Sequence, residues 1–261
     1  MNGDFISIDD LVKPKVNNRY FEFIFAVFNA IWKYNRLKDY NFIYIPSGFS
    51  SQIIGFIIAK INKIPLVIRL RENSFEFRKY RTSSASFINV IFNKIDEEIY
   101  KRADLIVSVS NDLTSKFRYL NSNIITLWNG VDEQFFEYEM NINKKLEETI
   151  FGYIGRVSSE KGVELMFKAI ENLPIKLLVF GETQISVTFP NNVEYLGIVP
   201  HENIQKAYSK INIIVLPSLT EGLPRTLQEA MLLGKAVICT DVGDNSILID
   251  ERGGWVCQRN I

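Results

Sequence analysis

The sequence is poorest in the residues that build metal sites and covalent staples. Its 261 residues hold two cysteines, Cys239 and Cys257, and one histidine, His201. Neither cysteine lies in a closely spaced Cys/His array, which excludes both a zinc-ligand spacing and a disulfide framework, and a reducing, cytoplasmic setting suits such a chain. Charge of either sign is not in excess: 30 Lys+Arg offset 30 Asp+Glu, so there is no global positive field to draw in nucleic acid. No Gly-x-Gly-x-x-Gly follows a strand-like run, which argues against a dinucleotide oxidoreductase. Long apolar runs are missing too. The longest, FIFAVFNAIW at residues 23–32, is about half of the ~20 residues that a membrane-spanning helix needs. The opening stretch MNGDFISIDDLVKPKVNN is polar and charged where a secretory signal requires an apolar core.

What is present is ample apolar material, 47% of the residues, enough for one large or two modest buried cores. The zero net charge conceals a mild asymmetry: residues 1–135 carry 18 basic and 14 acidic side chains, the remainder 12 and 16. A slightly basic first half suits peripheral contact with the anionic inner face of a membrane, although a difference of this size arises incidentally in many chains, and membrane contact is a secondary expectation. The aromatic-rich stretch from Tyr20 to Tyr34 suits a lipid acceptor in the same way, and equally suits a core helix.

From about residue 19 the pattern alternates between helical and strand-like stretches. NFIYIPS (41–47) reads as a strand, SSQIIGFIIAKIN (51–63) as a helix and IPLVIRLRE (64–72) as the next strand, one β-α-β unit. ASFINVIFNKIDEEIYKRA (85–103) has helical spacing, ADLIVSVS (103–110) reads as a strand, and Asn111 is placed to cap the helix that follows. Residues 133–148 lose the period and become charged, as a linker between domains would. Five further apolar runs succeed it: TIFGYIGRV, IKLLVFGE, VEYLGIV, INIIVLPS and KAVICTDVG. Alternating β and α elements with buried, β-branched strands imply parallel sheets, with ligands beyond the strands' carboxyl ends. The expected domains are 1–135, a linker at 136–148, and 149–261.

The most informative stretch is PSLTEGLPRTLQEAMLLGKAVICTDVG, Pro217 to Gly243. A strand delivers the chain to Glu221 and Gly222, Pro224 suits the first turn of a helix, and Gly234 stops it. Glu229 lies roughly 7.5 Å along the helix axis from Pro224. One carboxylate is then at the helix mouth and the other about a turn and a half inside. Amides at such a mouth bind an anion or a sugar oxygen, and carboxylates accept paired hydrogen bonds from vicinal hydroxyls. Taken singly, either glutamate would pass for an ordinary helix-start or surface residue.

Together, the string E-GLPRTLQ-E and the turn and strand after it resemble the family 4 retaining glycosyltransferases of the group 1 type, whose signature is two glutamates seven residues apart. FGYIGRVSSEKGVELMFKAI resembles the family's Gly-Arg…Lys-Gly segment, VEYLGIVPHENIQKAYSKINIIVLPS follows in the family's order, and NGVD (129–132) looks like the entry to its interdomain linker. The resemblance extends over about residues 103–259. It implies two Rossmann-like domains with parallel sheets facing a cleft, the GT-B type, with the N-terminal domain reduced. It further implies transfer of a sugar, with retention of anomeric configuration, from a nucleotide-diphosphate sugar donor to a glycan, lipid or protein acceptor. By the same resemblance Glu229 would hold the nucleotide ribose and Glu221 the donor sugar. Gly222, Leu223 and Pro224 would present backbone at the sugar–phosphate junction, and Val199 would lie near the base. Arg156 and Lys161 would neutralise the diphosphate as it leaves. No cofactor or metal is implied, since no Asp-x-Asp signature occurs and a Lys/Arg pair can take over a cation's electrostatic role.

The sequence departs from the family in three places. Arg71 stands where many members carry a histidine; it suits donor phosphate or an anionic acceptor, and equally a salt bridge with Glu72 or Glu76. His201 falls in the PHENI turn, where a capping or surface role is expected. Members also open with a strand and a Gly-rich loop that 1–18 do not contain, and continue into helices beyond the position of Ile261. A nucleotide-sugar-binding or partner-binding module with little transferase activity, and a nucleotide-sugar epimerase, are the alternatives.

Overall fold

The computed structural model describes residues 40–81, 87–137, 149–249 and 253–258. The opening stretch, the apolar run at 23–32 and residues 138–148 of the charged segment lie outside them. The described residues separate into two compact units, each built on a parallel sheet. No helix among them is long and apolar enough to cross a membrane.

The first unit contains the anticipated β-α-β element: β1 (Ile43–Pro46), α1 (Phe49–Asn62) and β2 (Leu66–Leu70). After α2 (Ser74–Arg81) and α3 (Phe87–Arg102) come β3 (Leu105–Ser108), α4 (Asn111–Phe117) and β4 (Ile124–Thr126). The four strands lie in chain order and all pair in parallel. Ile45, Ile68, Ile106 and Ile124 share one row of the register, and all four are buried. Helix α1 packs on that row, with Gly55 set directly over Ile45. One helical start differs from expectation. Asn111 is the first residue of α4, and Ser110 caps it, its Oγ accepting from the Leu113 amide at 3.1 Å. A serine hydroxyl one residue earlier reaches the third amide of the helix, the geometry that an N-cap requires.

The second unit runs from Trp128 and also takes in the short pieces Phe75–Ser84 and Ser110–Leu113. A short helix, α5 (Gln134–Glu137), opens it, and Phe135 is buried in its core although it lies in the charged stretch read as a linker. The five anticipated strands follow as β5 (Ile150–Ile154), β6 (Lys176–Phe180), β7 (Val193–Gly197), β8 (Ile213–Leu216) and β9 (Ala236–Thr240). A sixth, β10 (Gly254–Cys257), pairs with β9; its four residues form no apolar run long enough to stand out. Helix α6 (Val163–Ile170) joins β5 to β6, α7 (Ile204–Tyr208) precedes β8, and α8 (Arg225–Leu232) joins β8 to β9. Helix α9 (Asn245–Leu248) lies between β9 and β10.

The sheet order is β10-β9-β8-β5-β6-β7, entirely parallel. Both faces are buried, as the β-branched runs require. Tyr153, Leu177 and Val179 meet Val163, Met166 and Phe167 of α6 in one cluster. Ile154, Leu178, Phe180, Ile214 and Val237 join Tyr208, Leu227 and Ala230 in the other. Neighbouring residues of β5 and β6 thus point to opposite layers, the two-residue period of a strand. Pro224 caps α8 with φ −71° and ψ 126°, one position before its expected place in the first turn; a ring that fixes φ suits either position. Gly234, at φ +61°, ends the helix region in a left-handed turn.

Ile214 is fully buried near the middle of this sheet. Ile214→Ala is expected to destabilise the second unit by about 2–5 kcal/mol, measured as a lower urea midpoint for the unfolding transition reported by Trp128 and Trp255 fluorescence.

Candidate functional site

In an open parallel sheet the natural place for a ligand is where the strand order reverses. In the second unit that place is between β5 and β8: from β5 the chain moves outward through β6 and β7, then returns to β8 and continues through β9 to β10. The loop after β5 carries Arg156 and Lys161, and the loop after β8 carries Glu221, Gly222, Leu223 and Pro224. Residues separated by some 60 positions are therefore brought to one sheet edge by topology.

The two loops touch through backbone. The β5 loop turns in a short 3-10 segment, Ser159–Lys161, and closes at Gly162 with φ +66°. A Cβ built at Gly162 would lie 2.0 Å from the carbonyl oxygen of Pro217, a separation that no side chain survives. The Leu219 amide donates to the Glu160 carbonyl at 2.9 Å, fixing the same approach. Held in this way, Lys161 Nζ lies 2.5 Å from Glu221 Oε1, and the Ser218 hydroxyl donates to that same oxygen at 2.7 Å. Thr240, at the end of β9, donates to the Ser218 carbonyl at 2.5 Å. Glu221 thus receives a charge-assisted and a neutral hydrogen bond on one oxygen, with only 11% of its side chain exposed.

Glu229 has a different environment. It lies in the second turn of α8 and is buried, not a surface glutamate. Its Oε2 accepts from the Tyr208 hydroxyl of α7 at 2.7 Å. Desolvation raises its pKa above the ordinary 4.5, while the Tyr208 hydrogen bond and the charges of His201 and Arg225 pull the other way. Burial also pushes the Tyr208 hydroxyl well above the ordinary phenol value, reinforced by the charge of Glu229, so it stays a neutral donor. Tyr153, shifted upward first by burial and then by the charges of Glu221 and Glu160, donates to the Arg156 carbonyl at 2.5 Å and holds the β5 loop from below.

The remaining expected residues fall in several places. The Arg156 guanidinium is 3.5 Å from the buried carboxylate of Glu160 and more than a third exposed. Gly222, Leu223 and Pro224 are buried, and the Gly222 carbonyl accepts from the Asp244 amide at 3.1 Å. Val199 is half-buried and packs on the core cluster behind α7 and α8. Arg71 follows β2 in the first unit, its amide donating to Ser47 Oγ at 3.1 Å. His201 is exposed in a 3-10 turn before α7 and pairs with Asp132 Oδ2 at 2.5 Å. Among the described residues no group of three or more His, Cys, Asp or Glu could hold a metal ion. The sequence reading missed Ser218, Tyr208, Tyr153 and Gly162. Only Gly162 carried a local signal, standing next to Lys161 ahead of a helix; Ser218 and Tyr153 act three residues away on Glu221 and Arg156, and Tyr208 acts on Glu229 across 21 positions.

Two outcomes follow. Gly162→Ala forces a side chain onto a backbone oxygen in a left-handed conformation, so the β5 loop must withdraw from β8; the expected result is new amide-exchange protons at Leu219 and Gly162, measured by hydrogen exchange. Glu229→Gln removes a carboxylate whose folded pKa is raised. The charged form opposes folding increasingly as pH rises from the ordinary value of 4.5 toward the folded one, and has no effect below it. Glu229→Gln is therefore expected to raise Tm relative to the wild type at pH 8, with the gain vanishing near pH 4.

Residues 135–260 match the family model described as Glycosyl transferases group 1. The chain is 27% identical over 222 residues to the putative teichuronic acid biosynthesis glycosyltransferase TuaC of Bacillus subtilis, covering 79% of this chain and 54% of the relative. It is 28% identical over 247 residues to the capsular polysaccharide biosynthesis glycosyltransferase CapM of Staphylococcus aureus, covering 82% and 61%. The chain thus spans little more than half the length of these curated relatives. Among solved structures it resembles sucrose-phosphate synthase of Thermosynechococcus elongatus, with TM-score 0.75 and 20% identity over 94% of this chain and 68% of that one. It also resembles Anabaena HepE in complex with UDP-glucose, with TM-score 0.71 and 18% identity over 88% and 68%. The chain is therefore related to the group 1 glycosyl transferases and has the two parallel-sheet α/β units of the GT-B fold, the first smaller than the second.

Proposed function

We propose that this chain binds a nucleotide-diphosphate sugar in its second unit and takes part in transferring the sugar, with retention of configuration, to a glycan, lipid or protein acceptor. The observation that carries the reading is the convergence of Lys161, Ser218 and Glu221 at the β5/β8 reversal, with the buried Glu229 one helix segment away. Two carboxylates in one loop-helix element, each accepting hydrogen bonds, match a ligand that offers two sets of hydroxyls. In this reading Glu229 takes the ribose and Glu221 the donor sugar. Gly222, Leu223 and Pro224 line the junction between them, and Val199 lies behind the base.

The chemistry asked of the protein is mainly electrostatic. Breaking the bond to the anomeric carbon leaves negative charge on the diphosphate, which the Lys161 ammonium and Arg156 guanidinium neutralise in place of a metal. Lys161 is already held by Glu221, so its charge is oriented before the leaving group develops its own. HepE, one of the similar structures, was solved with UDP-glucose, which makes a uridine nucleotide the first donor to try. We place the acceptor side in residues 1–135, with Arg71 as a candidate contact to donor phosphate or to an anionic acceptor, and the protein in the cytoplasm, with peripheral membrane contact as a secondary reading.

The test is calorimetric titration with UDP-, GDP-, ADP- and dTDP-sugars. One nucleotide class is expected to bind selectively. Glu229→Ala weakens that binding and Lys161→Ala slows transfer, each by the roughly 10- to 150-fold that loss of a charge-assisted contact of about 1.5–3 kcal/mol implies. Unchanged donor affinity in folded Glu229→Ala would defeat the reading. Saturable binding without turnover would favour a donor-binding module over a transferase.

A further inference from the structure

Glu229 is the one glutamate of the expected pair that has no cation directly paired with it in the structure, and yet it is buried. A carboxylate in that position needs its oxygens directed, because an unoriented charge in a desolvated pocket is costly and shifts toward its protonated form. The directing group is on a different helix. Tyr208 is fully buried at the end of α7, its ring meets Phe135 edge-on at 6.0 Å between centroids, and its hydroxyl reaches Glu229 Oε2 at 2.7 Å. The same hydroxyl has a second acceptor, the Thr226 carbonyl, at 3.4 Å.

We infer that Tyr208 is a positioning residue: it occupies Oε2 of Glu229 and so turns the other carboxylate oxygen toward the ribose diol of the donor. This rests on the assignment of Glu229 to the ribose proposed above. With Glu229 ionised, the phenol proton lies on the short contact to Oε2. With Glu229 protonated, the carboxyl donates to the phenol oxygen and the phenol proton turns to the Thr226 carbonyl. Both states keep every hydrogen bonded, but only the first leaves a full carboxylate to accept from the diol. The other charged groups facing Glu229 are His201 from the turn before α7, Arg225 on α8 itself and Asp132 from the stretch before α5; none of them makes the direct contact that Tyr208 does.

Tyr208→Phe keeps the ring and its packing and removes only the hydroxyl. In the free protein, carbon NMR of labelled glutamate side chains reads the Glu229 titration with no ligand present. Its midpoint is expected to rise in Tyr208→Phe, because a hydrogen bond that favours the ionised form is gone. In parallel, whichever of UDP, GDP, ADP and dTDP the wild type binds is titrated at pH 6.5 into wild type, Tyr208→Phe, Glu229→Gln and the double variant. Tyr208→Phe is expected to weaken nucleotide binding by about 5- to 10-fold, the size of a lost hydrogen bond. The deficit shrinks to under about twofold in the Glu229→Gln background, as coupled residues require. A merely structural role would leave the deficit undiminished in the double variant, and that result overturns the inference. An unmoved NMR midpoint overturns it as well, whatever the nucleotide titration gives. A midpoint that moves as expected while the wild type binds none of UDP, GDP, ADP and dTDP rejects the donor reading, and with it the ribose half of the inference; the hold of Tyr208 on the carboxylate stands on the NMR result alone.

Discussion

The carbonyl oxygen of Pro217 occupies the space that any side chain at position 162 would need, and the candidate site depends on that contact. It allows the loop after β5 to lie against the loop after β8 at backbone distance, where the Leu219 amide and Glu160 carbonyl close a hydrogen bond. Lys161 sits immediately before this contact, so its side chain has little choice but to meet Glu221. A longer separation would leave an ammonium and a carboxylate on two flexible arms, each losing rotamer entropy to find the other. The short separation supplies the pairing through the main chain instead.

On this scaffold the two glutamates of one short segment have opposite surroundings. Glu221 is met by a cation and a hydroxyl at the mouth of the sheet. Glu229 is inside, met by a neutral phenol that burial keeps protonated, and its own pKa rises because desolvation outweighs the hydrogen bond. Two carboxylates eight positions apart thus have unlike settings, one paired with a cation and the other desolvated against a phenol. The helix that carries Glu229 is held to α7 through the same contact, so the electrostatics of the site and the packing of the layer behind it are a single arrangement.

Local sequence carried a large share of the fold. Five of the six strands of the second unit announced themselves as apolar, β-branched runs, and the proline before α8 and the glycine after it marked the helix ends. The features that were not legible were short or shifted. β10 is four residues with alternating burial, too brief for a period to show. The cap of α4 fell on Ser110 because both Ser110 and Asn111 can serve, and only the backbone decides which hydroxyl or amide reaches the third turn amide. Phe135 lies among charges, and its burial depends on α7 and the core behind it.

The candidate site divides in the same way. Glu221, Glu229, Arg156 and Lys161 stand in local strings whose spacing is informative, and the sequence by itself determined that they follow strands of a parallel sheet. Their partners could not be read there. Ser218, Tyr208 and Tyr153 are common residue types with no distinguishing neighbours; Tyr208 meets Glu229 across 21 positions, and the three-residue contacts of Ser218 and Tyr153 depend on how their loops turn. Strand order is likewise absent from a one-dimensional pattern: the same apolar runs could pair in several sequences of strands, and only β5 lying beside β8 creates the reversal at which Lys161 meets Glu221. The sequence determined which groups the chain has and on which elements they ride, because backbone periodicity is local. The tertiary structure decided which of them touch and which are desolvated, because burial and hydrogen bonding are properties of neighbours in space.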